Sequence, residues 1–133
     1  MLGAILAGGA GRRMGRDKAI LRVANQPLWR RQAETLRAAG AEPVVVIRQP
    51  EQSILGEVEV WLDRHGAAGP LAGLHTALAP RRDARVAILA VDMPDIDARW
   101  FTDLVVRCRP EAGAVVRHDG RFEPLAAIYS AAA

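Results

Sequence analysis

Apolar residues along this chain alternate between short continuous runs and wider helical spacings, and that alternation predicts the fold class. Ala4-Ile5-Leu6-Ala7 is an apolar run closed by Gly8-Gly9, the pattern of a buried strand feeding a loop. Val44-Val45-Val46-Ile47 is β-branched throughout and predicts a second buried strand. A third is expected over Val58–Leu62 and a fourth over Arg85–Val91, which closes on Asp92-Met93-Pro94. Between them Pro27 opens a helix whose inner face runs through Leu28, Gln32, Leu36 and Ala39 before Gly40 stops it. Residues 51–55 predict a weak helix, and residues 71–78 a second one ended by Pro80. Asp97 is placed to cap a helix with Trp100, Phe101, Leu104, Val105 and Cys108 on its apolar face. Residues 19–23 read as extended, followed by a turn at Asn25-Gln26-Pro27. Ala114–Val116 and Leu125–Tyr129 flank Asp119-Gly120 as a hairpin or reach-back pair. Strands alternating with helices predict a three-layer α/β fold with a mostly parallel sheet.

With 133 residues, the chain is expected to form one domain spanning 1–133. Half the residues are hydrophobic and a quarter charged, which excludes intrinsic disorder. No apolar run approaches the roughly 20 residues of a membrane span. The opening residues have no basic stretch and run straight into glycines, so they read as a strand and not as a signal peptide. A single cysteine, Cys108, excludes an internal disulfide and a cysteine metal site, and a cytoplasmic location is expected.

The charge distribution is more telling than the net charge of +3. Residues 1–31 carry seven basic side chains against Asp17 alone, while the rest carry 11 basic and 14 acidic ones. Positive charge concentrated around one glycine-rich segment points to a locally held anion, not to a nucleic-acid stripe along a face. That segment, Leu6 to Lys18, holds the chain's only lysine. It is not a Walker A loop, since no Gly-Lys precedes Ser or Thr. Nor is it a dinucleotide fingerprint, because Met14 stands where the third glycine belongs. Glycines there let the backbone approach a phosphate, and Arg13 and Lys18 add full charges. In an open α/β sheet ligands bind at the carboxyl ends of strands, where Asp63 and Asp92 also fall. Carboxylates at two strand ends and a cationic loop at a third can hold a phosphate together with a hard cation. His65 and His75 have no third histidine or cysteine at metal spacing.

The segment Leu-Ala-Gly-Gly-x-x-x-Arg-Met-Gly-x-Asp-Lys, from Leu6 to Lys18, resembles the signature of the molybdenum cofactor guanylyltransferases, nucleotidyltransferases of the MobA-like type. Gly69-Pro70-Leu71-Ala72-Gly73-Leu74 is similar to their second motif and Val91-Asp92-Met93-Pro94 to their third. Glu123-Pro124-Leu125 to Tyr129 resembles a looser fourth. The resemblance implies a Rossmann-like α/β/α fold of the nucleotide-diphospho-sugar transferase type. It implies transfer of GMP from GTP to the phosphate of molybdopterin, with Mg²⁺ and release of pyrophosphate. By the same resemblance Leu6, Ala7, Gly8 and Gly9 face the base and ribose, with a preference for guanine. Lys18 and Arg13 hold phosphates, Asp92 binds the metal, and Asp63 binds the nucleotide or its metal. Gly69, Pro70, Leu71 and Gly73 wall the base pocket. The sequence departs from the pattern in two places. Ile47 follows Val46 where a polar residue is expected, and no Asn-x-Asn-Thr-Pro-like motif is present, so the chain reads as C-terminally short. A partner chain or self-association completing the acceptor side is one expectation from that. A related transferase with another base or acceptor, such as CTP with molybdopterin, and a nucleotide-binding module without catalysis are the other readings.

Overall fold

Strand β1 (Leu2–Leu6) forms at the first apolar run and takes an interior place in a six-stranded sheet. The computed structural model describes residues 1–8, 17–50, 55–63, 69–80, 85–109 and 111–130. After β1 come a short antiparallel pair, β2 (Arg22–Val23) and β3 (Gln26–Pro27), and helix α1 (Leu28–Ala38). Strands β4 (Val44–Arg48) and β5 (Glu59–Leu62) lead to helix α2 (Pro70–Leu78) and strand β6 (Arg85–Ala90). Helix α3 (Ala98–Arg107) and the antiparallel strands β7 (Ala114–His118) and β8 (Arg121–Ser130) follow. The sheet order is β5-β4-β1-β6-β8-β7, with β5, β4, β1 and β6 parallel and β8 antiparallel to β6.

The continuous apolar runs are explained by burial on both faces. From β1, Leu2, Ala4 and Leu6 pack with Val45, Ile47, Val86, Ile88 and Ala77 of α2. Ile5 joins the opposite cluster with Leu28, Trp29, Ala33 and Leu36 of α1 and Phe101 and Leu104 of α3. Three layers result, α2 on one face and α1 with α3 on the other. Gly3 permits the close approach of α1, because a Cβ there would lie 3.1–3.2 Å from Ala41, Val44 and Leu36. Asp97 caps α3 by accepting from the Trp100 N–H at 3.2 Å, a bond of about 1 kcal/mol. The Trp100 indole N–H then donates to the Ala126 carbonyl at 2.8 Å and ties α3 to β8.

Two sequence expectations are corrected. Residues 19–23 are not one extended run: Lys18–Ile20 form a 3₁₀ turn, because Asp17 accepts from the Ala19 N–H and starts a helical turn before β2. The second strand does not end at Ile47 but continues through Arg48, whose side chain is fully buried. The expected helix over residues 51–55 lies almost wholly outside the described residues. Among the described residues no helix is long and apolar enough to cross a membrane.

Candidate active site

The connections from β1 run outward to β4 and β5, then return across to β6 on the other side of β1. The carboxyl ends of β1 and β6 therefore flank the point where the strand order reverses, the place of the ligand crevice in open α/β sheets. The end of β1 is pinned on both flanks. The Ala7 N–H donates to the Ile47 carbonyl at 2.9 Å, and the Leu6 carbonyl accepts from the Val91 N–H at 3.0 Å. Gly8 is exposed just beyond, where a Cβ would meet the Gln49 side chain at 3.3 Å, so glycine lets the loop leave close against the exit of β4. Gly9 and Arg13 lie outside the described residues.

The structure brings together Lys18 and Asp92. The Lys18 Nζ lies 3.6 Å from the Asp92 carboxylate, with side chains 26% and 45% exposed. Lys18 is held by its 3₁₀ turn, and Asp92 by the turn that follows β6. Because Asp97 supplies the cap of α3, Asp92 is not a helix cap. Its turn is instead clamped from α1. The buried Gln32 donates through Nε2 to the carbonyls of Ala90 and Met93, at 3.0 and 2.9 Å, on either side of Asp92. The sequence reading placed Gln32 on an apolar helix face and missed this. A polar residue in the middle of such a stripe was the available signal.

Asp63 follows β5 and is nearly inaccessible, with its N–H donating to the Arg48 carbonyl at 2.7 Å. β5 and β6 stand three positions apart in the sheet, roughly 14 Å at ~4.8 Å per step. The second motif starts α2. Gly69 adopts φ 62°, a left-handed backbone that suits glycine, and Pro70 takes the first helical position. Gly73 packs on β1, since its Cβ would sit 3.1 Å from Leu6 Cδ2, so the first and second motifs touch through this pair. Leu71 is exposed on the first turn of α2. Arg48 escaped the sequence reading, and Asp17 entered it only as a position of the motif. Asp17 and the fully buried Arg48 form an ion pair beneath the turn of Lys18.

A lysine thus faces an acidic strand end at the switch point of an α/β sheet. Residues 3–133 match the family described as the MobA-like NTP transferase domain, and the chain belongs to that family. A probable molybdenum cofactor guanylyltransferase of Opitutus terrae is 56% identical, over 97% of this chain and 66% of its own length. The crystal structure of molybdopterin-guanine dinucleotide biosynthesis protein A from Archaeoglobus fulgidus superposes with a TM-score of 0.74 at 25% identity. It covers 98% of this chain and 68% of its own. A Mycobacterium tuberculosis protein crystallised in complex with manganese shares the fold at 18% identity. Its TM-score is 0.69, over 97% of this chain and 69% of its own. The chain spans just under two thirds of the length of the first curated relatives it matches. The fold is the nucleotide-diphospho-sugar transferase type expected from the motifs.

Proposed function

We propose that this chain provides the nucleotide-binding and catalytic face of a guanylyltransferase that moves GMP from GTP to the phosphate of molybdopterin and releases pyrophosphate. The observation that carries the reading is the Lys18–Asp92 pair, 3.6 Å apart and accessible at the sheet's switch point. The guanylyltransferase names of its relatives supply the substrates.

In this mechanism the backbone of Leu6, Ala7 and Gly8 meets the nucleoside, and Gly69, Pro70, Leu71 and Gly73 border the base. Gly9 and Arg13 belong to the same loop by the motif alone. Lys18 binds the β- and γ-phosphates and neutralises the charge that gathers on the departing pyrophosphate. Asp92 offers hard oxygen donors beside that lysine, and its exposure leaves it open to a divalent cation. Among the described residues no group of three or more metal-binding side chains exists, which suits Mg²⁺, an ion that binds through one or two carboxylates plus substrate phosphates. When bound, Mg²⁺ supplies Lewis-acid charge at the α-phosphate. The separation of β5 from β6 favours Asp92 over Asp63 as its ligand, leaving Asp63 to the nucleotide. The enzyme works in the cytoplasm on this reading, and a partner chain or second copy is a candidate for completing the acceptor side.

The test is pyrophosphate release from GTP and Mg²⁺ with molybdopterin, beside ATP and CTP, in the wild type and in Lys18→Ala. GTP should be preferred. Lys18→Ala should weaken GTP binding about ten- to a hundred-fold, the value of one charged hydrogen bond. Equal use of ATP, or unchanged binding in Lys18→Ala, overturns the proposal.

A further inference from the structure

Arg48 is the largest fully buried side chain among the described residues, at 0% exposure, and it carries a charge that an apolar residue of similar volume would not. Its Nη2 donates to Asp17 Oδ2, while Nε and Nη1 have no partner among the described residues. Replacing a buried ion pair by apolar side chains is often neutral or stabilising, so stability alone does not account for a guanidinium at this strand end.

The connectivity supplies another account. Asp17 uses both carboxylate oxygens, Oδ2 toward Arg48 and Oδ1 toward the Ala19 N–H at 3.1 Å. The second bond starts the 3₁₀ turn that begins at Lys18, and the Leu21 N–H closes it on the Lys18 carbonyl at 3.2 Å. Arg48 thus fixes Asp17 to the end of β4, and Asp17 fixes the backbone from which Lys18 reaches the crevice. Arg48 itself is too deeply buried to meet a ligand. We propose that Arg48 is a positioning residue for Lys18, acting through Asp17. This rests on the reading of Lys18 as the phosphate-binding residue.

A double-mutant cycle separates this role from a merely structural one. The full chain is titrated with Mg²⁺–GTP, and with Mg²⁺–tripolyphosphate as a base-free probe, below the melting temperature of each variant. Arg48→Met is expected to weaken both probes about tenfold, and Arg48→Lys to recover part of the loss, since it restores the charge without the planar fork. In a Lys18→Ala background Arg48→Met should cost nothing further, within about twofold, because the residue through which it acts is already gone. Asp17→Asn should repeat the pattern, and it carries the same cycle together with Arg48→Lys if Arg48→Met does not fold. Full additivity with Lys18→Ala, or lowered melting with unchanged affinity, overturns the inference while leaving the phosphate role of Lys18 intact. If the wild type binds neither probe, or if Lys18→Ala binds both as the wild type does, the phosphate role falls and the inference with it.

Discussion

Gln32→Met removes the clamp on the Asp92 turn while keeping a side chain of similar length in the core. Two hydrogen bonds from Nε2 are lost, to the carbonyls of Ala90 and Met93. Each neutral bond is worth about 1 kcal/mol net, but two features reduce the total. The Ala90 carbonyl keeps the Met93 N–H as a second donor at 3.3 Å. The Gln32 Oε1 has no hydrogen-bond partner among the described residues, so its removal relieves a burial cost. A loss of about 1–2 kcal/mol remains, which for a domain of this size lowers Tm by roughly 3–8 °C. The effect on turnover should be larger than the effect on stability. Ala90 and Met93 bracket Asp92, and misplacing a reacting group by about 1 Å costs on the order of a hundredfold in rate. The prediction is therefore a fall in kcat of about ten- to a hundred-fold, with GTP affinity through Lys18 changed less than about threefold. Thermal melts, nucleotide titration and pyrophosphate release measure the three quantities separately. An unchanged kcat beside a lowered Tm would reduce Gln32 to a core hydrogen bond. A raised Tm would mean that the unpartnered oxygen outweighs both donors.

Asp92→Asn should leave the free protein within about 0.5 kcal/mol of wild type, since its pairing with Lys18 is half-exposed, yet cut metal-dependent turnover on the order of a hundredfold or more. A fall in Tm matching the loss of activity would refute the functional role. Gly113→Ala should destabilise by about 1–3 kcal/mol, because its Cβ would lie 2.5 Å from the Ile128 carbonyl oxygen, and a melt equal to wild type would show that this loop relaxes freely. Burial raises the pKa of Tyr129, so the folded state holds its proton at pH values where the unfolded chain has released it. That stabilisation is complete below about pH 10 and is lost as pH rises through the folded value. As the chain has one tyrosine, its phenolate absorbance reports this directly, and a midpoint at or below the ordinary value would contradict the burial.

Elements buried on both faces were legible in the sequence, because β1, β4 and β6 must read as unbroken apolar runs when helices cover each side of the sheet. The motifs likewise pointed to Lys18 and Asp92, which the structure brings within 3.6 Å of each other. What stayed hidden depends on partners distant in the chain. Asp17 lies 31 residues from Arg48, and Gln32 lies 58 and 61 residues from the carbonyls it holds. Local pattern read Gln32 as one more position on an inward helix face, and ended the second strand at Ile47 without reaching Arg48. The inward placing of Gln32 holds, but a local pattern cannot name the distant carbonyls that its Nε2 meets there.

These hidden residues differ physically from the two that were legible. Lys18 and Asp92 face each other at 3.6 Å with solvent access, and such a pair is worth at most about 1 kcal/mol. Separating them costs little, so on the proposed function phosphate takes the place of the carboxylate at the lysine and a cation the place of the lysine at the carboxylate. Their mutual attraction keeps both side chains in the crevice before ligand arrives, without opposing its binding. Gln32 and the Arg48 guanidinium are instead fully buried, and no solvent is at hand to compensate their loss. The charges that the proposed reaction requires to exchange partners lie where exchange is cheap. The bonds that fix the backbones carrying those charges lie where exchange is expensive, and for that reason substitutions beneath the crevice should affect catalysis through geometry.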